Sequence, residues 1–358
     1  MTTAAPLARS HDQADALLEA VRDALSAGQP LAIRGGDSKA FLGRNVEGRA
    51  LDIRPHAGIV QYDPTELVIT ARAGTTLAEL TAALDAGGQM LAFEPPLFDG
   101  EATLGGTIAS GLSGPRRPWV GSARDFVLGT RVITGQGKHL RFGGEVMKNV
   151  AGYDLSRLMA ASFGCLGVMT EVSLKVLPKP RMCRTLWLEV DAERALAQLA
   201  EWGQQPLPIT GASHDGRALH LRLEGGEGSV EAACDRLGGE TLDGEYWELL
   251  RDWRLPFFSD ARPLWRLSVP IATASLALPG DQLIDWGGGQ RWLKSDADED
   301  TLRRIVAEVG GHAACYTAGA ARSPFHPLPA GLMRYHRQLK SQLDPKGIFN
   351  PGRMYAEI

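Results

Sequence analysis

The residues of this sequence that could do chemistry are led by glycines. The run Arg34-Gly35-Gly36-Asp37-Ser38-Lys39-Ala40 follows the apolar residues 30–33. Backbone N–H groups in such a turn can converge on one anion, because glycine tolerates positive φ and has no side chain to block approach. Arg34 and Lys39 flank the turn with positive charge. The same residues also suit an ordinary tight turn between strands. The spacing matches neither the dinucleotide fingerprint G-x-G-x-x-G nor a P-loop, since no G-K-[ST] follows. A second cluster runs Ala102-Thr103-Leu104-Gly105-Gly106-Thr107-Ile108-Ala109-Ser110-Gly111. Two such nests facing each other could hold a diphosphate, and the small residues of the second would let a flat ring lie on the backbone. Packing of a small-residue helix is the alternative. A third cluster, residues 148–155, leads into Gly164, Gly167, Val168 and Thr170, again just ahead of a strand-like run.

Fewer candidates stand in the second half. Gly287-Gly288-Gly289-Gln290-Arg291-Trp292 sets a glycine run beside a cation and an indole, so Arg291 is a candidate for holding an anionic substrate; a tight turn with a salt-bridged arginine is the alternative. His326, between Phe325 and Pro327, is a second catalytic candidate. His214-Asp215-Gly216-Arg217-Ala218-Leu219-His220 has two histidines but reads as a hairpin about an Asp-Gly turn rather than a metal site. The cysteines at 165, 183, 234 and 315 include no C-x-x-C pair, so neither zinc nor an iron–sulfur cluster is expected on this chain.

These groups must be positioned by a chain of 358 residues, enough for about two domains. Hydrophobic residues make up 44% and charged residues 22%, which supports two cores and excludes bulk disorder. A formal charge of −4 gives no reason to expect nucleic acid or an anionic membrane as main partner. Glycine, at 42 residues, exceeds the usual ~7%. No stretch reaches about 18 apolar residues, so no membrane span is expected, and the N-terminus lacks a secretory pattern.

Periodicity predicts a first helix over 11–27 closed by Gly28, strands at 30–34, 50–53, 59–62 and 67–73, and a helix opened by the capping pattern Thr76-x-x-Glu79. A short helix at Leu104–Ser110 interrupts a long irregular stretch from 94 to 123, and an irregular stretch that long inside a compact domain suggests function. Residues 127–134 and 139–142 form a hairpin, and 168–177 an alternating strand that stops at Pro178-Lys179-Pro180. Beyond that boundary come strands at 185–190, near 209, and at 219–223, 264–269, 283–286 and 291–294, with helices at Ala192–Trp202, 229–237 and 299–309. A final helix covers Ala330–Leu343. No internal repeat of 20 to 50 residues is visible.

The ordered blocks RGGDSKAF, ATLGGTIASGLSGP, WVGSARDFVLGTRVITGQGK, KNVAGYDLSRLMAASFGCLGVMTEVSLKVLPKP and DPKGIFNPGRMY resemble the FAD-binding oxidoreductases of the vanillyl-alcohol oxidase, or PCMH, type. Within that type they are most similar to the FAD-binding E subunits of bacterial glycolate oxidases. The resemblance implies an α+β chain: a two-subdomain PCMH-type FAD-binding domain over 1–180, a smaller α+β cap over 181–328, and a C-terminal helix and tail over 329–358 that return to the FAD domain. It implies that Arg34, Gly35, Gly36, Asp37 and Ser38 wrap the FAD pyrophosphate, with Lys39 and Ala40 just beyond. Pro95, Thr103, Gly105 and Gly106 would meet the pyrophosphate and ribityl chain, and Ala109, Ser110 and Gly111 would lie near the isoalloxazine. Gly167, Val168 and Thr170 would lie beside the adenosine or the ring, and Asn350 would tie the tail back. Covalent flavin attachment in this family uses a histidine in the first glycine loop, where this chain has Asp37-Ser38-Lys39-Ala40, so non-covalent FAD is implied.

The implied partners are a FAD-linked D subunit, an iron–sulfur F subunit and a small 2-hydroxy acid. The implied setting is cytoplasmic, with any membrane contact peripheral and made through the complex. Catalytic relatives carry an H-x-G-D-G-N-x-H metal motif, from which 214–220 departs. Three readings therefore stay open: a substrate-oxidising subunit, a non-catalytic flavin-relay or scaffold subunit, and a stand-alone D-2-hydroxy-acid dehydrogenase such as a D-lactate dehydrogenase.

Overall fold

A computed structural model describes residues 11–144 and 154–358. Of the third glycine cluster, residues 148–153 lie outside the described residues. Two compact units divide the chain. The first holds 1–112, 122–178 and 327–358, and the second 113–121 and 179–326. The nine residues 113–121, which the sequence places in the FAD-binding domain, therefore pack with the second unit.

In the first unit, Ala14–Ala27 is amphipathic, burying Leu17, Val21, Ala24 and Leu25, and Gly28 ends it in the left-handed conformation at φ 62°. The helix starts at Ala14 rather than at residue 11. Its apolar face packs on a parallel pair, Leu31–Arg34 with Arg49–Asp52, and on Ile348 and Phe349 of the C-terminal tail. An antiparallel sheet of five strands completes the unit, in the order Ile59–Asp63, Val68–Arg72, Val168–Lys175, Val127–Ile133, His139–Gly143. Its middle strand, Val168–Lys175, is buried through Leu174 instead of alternating, because both of its faces are covered. The Thr76 cap forms as its pattern predicts, with the hydroxyl accepting from the Glu79 N–H at 3.1 Å.

The second unit is built on one antiparallel sheet of eight strands. Met182–Leu188, Ile209–His214, Leu219–Gly225 and Glu240–Leu242, with helices Ala192–Trp202 and Glu227–Leu237, make a β-α-β-β-α-β set whose spatial order is fourth, first, third, second. Leu264–Ser268, Asp281–Asp285, Gln290–Lys294 and His312–Cys315 repeat that order, and the two sets join where His214 pairs with Ile284. Strands starting at Ile209 and Asp281, helices at Glu227 and Glu299, and strands at Glu240 and His312 each stand 72 residues apart. The unit is thus a duplicated architecture. The second copy lacks its first helix: between Ser268 and Asp281 stand Pro270 and Pro279, and Leu276 and Leu278 pack on the core instead. Residues 214 to 219 form the hairpin turn expected about Asp215-Gly216.

Among the described residues no helix is long and apolar enough to cross a membrane.

Candidate functional site

A cavity of about 250 Å³ opens in the first unit where widely separated chain segments meet. The first is the turn after Leu31–Arg34. Arg34, Gly35, Gly36, Asp37, Ser38, Lys39 and Ala40 all line the cavity. Asp37 sits at φ 53°, in the left-handed region, which turns successive N–H groups toward one side. Among the described residues the backbone N–H groups of Gly35, Gly36, Asp37 and Ser38 make no hydrogen bond. Four consecutive unpaired donors at a cavity wall form an anion nest, since backbone donors are otherwise almost always paired.

The second segment is Leu104–Ser110 with its cap. Thr103 accepts from the Gly106 N–H at 3.3 Å, and Thr103, Gly105, Gly106, Ala109 and Ser110 line the cavity. The two glycine segments do face each other, and they touch. A Cβ on Gly36 would fall on the Glu101 carbonyl oxygen and 2.7 Å from its carbon, and one on Gly105 would come within 2.8 Å of the Ala73 Cβ. These glycines are therefore required first by the approach of one backbone to another.

The C-terminal tail closes the arrangement. Asn350 accepts from the Ile33 N–H at 2.8 Å through Oδ1 and donates to the Phe163 carbonyl at 2.7 Å through Nδ2, while its own N–H donates to Leu31 at 3.0 Å. One side chain thus ties the first strand to the loop carrying Phe163 and Gly164. Removing it in Asn350→Ala leaves a buried N–H and carbonyl unpaired, each costing about 1–3 kcal/mol. The expected result is a urea midpoint lowered with unchanged slope, together with loss of ligand from the cavity.

Arg353, three residues on, also lines the cavity; it donates to the carbonyls of Arg44 at 2.8 Å and Ala40 at 3.2 Å, and burial lowers its pKa. Arg34 is paired with Asp37 at 3.4 Å, and Lys39 stands 5.3 Å from the Phe98 ring.

Of the other residues implied by resemblance, Gly167 lines the cavity, whereas Pro95, Gly111, Val168 and Thr170 do not. Gly111 ends Leu104–Ser110 at φ 66°. Val168 is in the core with Ile133, and Thr170 spends its hydroxyl on the Arg131 carbonyl and on His139. Gly164, named with the third cluster, lines the cavity, and Asn45, Val46, Phe163, Met169 and Arg353 do so without having been singled out from sequence. The local hint for the missed residues is Arg353 in the tail motif; Gly164, just beyond the third cluster, is in the left-handed region at φ 71°.

The second-unit candidates fare differently. Arg291 is fully buried, donating to the Gly288 and Thr273 carbonyls at 2.8 and 2.7 Å, and burial pulls its pKa down to about 10. It braces the loop that replaces the missing helix. His326 accepts from the Ala313 N–H at 3.3 Å through Nδ1. In the hairpin, His214 Nε2 contacts the Val190 carbonyl and His220 Nε2 contacts Asp215, so both rings are engaged within the fold.

A family model for the FAD binding domain matches residues 8–143. The glycolate oxidase subunit GlcE of Escherichia coli (strain K12) is 60% identical over 350 residues, covering 98% of this chain and 99% of that protein. The chain belongs to the GlcE family of glycolate oxidase subunits. Subunit GlcD of Bacillus subtilis (strain 168) is 35% identical to this GlcE-family chain over 128 residues, or 36% of the chain and 27% of GlcD. A solved structure of alkyldihydroxyacetonephosphate synthase matches with a TM-score of 0.67 at 18% identity, covering 96% of this chain and 75% of that one, a likeness of fold. A GlcE-family member with this domain is a FAD-dependent oxidoreductase, and its fold is the α+β PCMH type.

Proposed function

We propose that this chain is the FAD-binding subunit of a glycolate oxidase complex, which oxidises glycolate or a related 2-hydroxy acid to the 2-oxo acid and passes electrons to an iron–sulfur partner. The observation that carries this reading is the run of four unpaired N–H groups at Gly35–Ser38, set opposite Thr103–Gly106 in a chain of the GlcE family. That cradle fits a diphosphate. The Gly35, Gly36, Asp37 and Ser38 N–H groups would donate to it, Arg34 and Lys39 would add positive charge, and Gly105 and Gly106 would keep the opposite wall low. Ala109 and Ser110 offer small side chains beside a flat ring, and Asn350 holds the tail against Ile33. Bound FAD supplies a two-electron acceptor for the α-hydrogen of a 2-hydroxy acid. No histidine, cysteine or tyrosine is among the described residues lining the cavity, which supports non-covalent binding.

A flavin-relay role is the second reading. It is favoured by Arg291, which donates to two backbone carbonyls of its own unit. The two readings separate in an anaerobic visible spectrum of the purified chain. Bleaching of the flavin band by glycolate alone supports direct oxidation, and bleaching only after addition of the D and iron–sulfur F subunits supports relay. A chain that stays colourless after incubation with FAD refutes both.

A further inference from the structure

Beyond the glycine nest, the cavity is walled by a residue of the C-terminal tail that the proposed function leaves without a task, Arg353. Its position is built locally. Asn350-Pro351-Gly352-Arg353 is a β-turn in which the Arg353 N–H donates to the Asn350 carbonyl at 3.2 Å, with proline second and glycine third at φ 72°, the positive angle that a type II turn demands there. The Asn350 side chain fastens the start of that turn to Ile33, so Arg353 leaves it at a fixed place beside the first strand.

The guanidinium then grips the loop that follows the nest. Nη1 donates to the Arg44 carbonyl at 2.8 Å and Nη2 to the Ala40 carbonyl at 3.2 Å, while the Arg44 N–H returns a bond to the Arg353 carbonyl at 2.8 Å. Both of these side-chain bonds go to neutral oxygens. Among the described residues no carboxylate pairs with Arg353, and its remaining guanidinium donors have no protein partner. The other cations of the cavity wall are placed differently: Arg34 is paired with Asp37, and Lys39 donates to the Ser38 hydroxyl at 3.3 Å. Burial is the main cause of the lowered Arg353 pKa, and Cys165, Asp37 and Arg34 act on it by charge, which sets the guanidinium within electrostatic reach of the nest. A half-buried cation without a counter-charge is costly, and an anion joining it recovers that cost.

We infer that Arg353 is a ligand-binding residue of this cavity: the C-terminal tail contributes the cation that completes the anion site begun by Gly35–Ser38, and its partner is a phosphate of the bound dinucleotide. The nest supplies directed donors without net charge, and Arg353 supplies charge. Because two carbonyls already hold its planar fork, little side-chain freedom is lost when the anion arrives. The identity of the anion rests on the FAD-binding function proposed above.

The test is titration of the full chain, freed of flavin, with FAD, the unbound FAD being measured after ultrafiltration. In Arg353→Gln, which removes the charge, Kd is expected to rise about tenfold or more, and added salt should weaken it less than the parent. Arg353→Lys restores the charge but not the fork and is expected to bind at least about threefold tighter than Arg353→Gln, a rescue that mere bracing of Ala40 and Arg44 would not give. A Kd for Arg353→Gln within about twofold of the parent, or an Arg353→Lys chain no tighter than Arg353→Gln, would overturn the inference. Should Arg353→Gln misfold by circular dichroism, Arg353→His decides: its Kd should rise about tenfold between about pH 5.5 and about pH 8, as the imidazole loses its charge, while that of the parent stays flat, and equal profiles refute the assignment. A parent chain that takes up no FAD fails before any variant is compared, and so overturns the proposed function together with this inference.

Discussion

A Gly36→Ala chain is expected to purify colourless. Sequence reasoning assigns this glycine to a ligand's approach, and on that view a small side chain would compete with the ligand and leave the protein intact. The geometry is harsher. A Cβ at Gly36 lands on the Glu101 carbonyl, a backbone atom that cannot rotate away as a side chain would. The turn must then lift from residues 101–103, which costs about 1–3 kcal/mol as overpacking does and scatters the four N–H donors of Gly35–Ser38. Retained flavin, read as the ratio of visible to ultraviolet absorbance, should fall by about tenfold or more, equivalent to about 1.4 kcal/mol of binding. Gly106→Ala is the contrast. Its Cβ would meet only the Thr103 hydroxyl, at 3.1 Å, so the fold should hold while the methyl narrows the cavity. Equal stability loss in the two variants would contradict this distinction.

Lys340→Met is expected to be the most destabilising single substitution of a charged residue in the first unit. Lys340 lies near the end of Ala330–Leu343 and is buried, donating to Asp344 at 2.7 Å and to the carbonyls of Cys165 and Phe349 at 2.8 and 2.6 Å. Asp344, wholly buried, accepts from the N–H groups of Ile348 and Phe349. The ammonium thus gathers three chain segments at one point. Its removal strands the Asp344 charge, and breaking a buried pair in this way costs about 3–5 kcal/mol. The melting temperature should drop by roughly 10 °C. Lys340→Met combined with Asp344→Leu should recover part of the loss, because no uncompensated charge remains. A single variant melting within a degree or two of the parent would show that the node carries little of the unit's stability.

Much of this was legible in the sequence wherever the signal is local. Leu104–Ser110, Ala192–Trp202 and Ala330–Leu343 have the bounds expected from periodicity and caps, and Thr76 and Gly28 act as the end signals they appear to be. The first wall of the cavity was legible for the same reason, since Arg34–Ala40 is one continuous turn. Phe163, Asn45 and Arg353 were not, because their place at the cavity depends on long-range closure by Asn350 and on left-handed backbone at Ala161 and Phe163. Burial also decided against one arginine. Arg291 stands in a suggestive motif, but it shares the sheet face of the core residue Leu267 and is wholly buried. The duplication of the second unit escapes a search for residue repeats because what recurs is strand order at a 72-residue offset, with one helix lost.

The bond between Ile33 and Asn350 spans 317 positions of the chain, and it times the assembly of the cavity. At roughly 5–20 residues per second, a ribosome takes on the order of 16–60 s to travel from one to the other. Throughout that interval the nascent first unit has its nest but neither Asn350 nor Arg353 to close it. Cofactor capture is therefore expected only after Asn350 has been made, and chains cut short before that residue should fail to load.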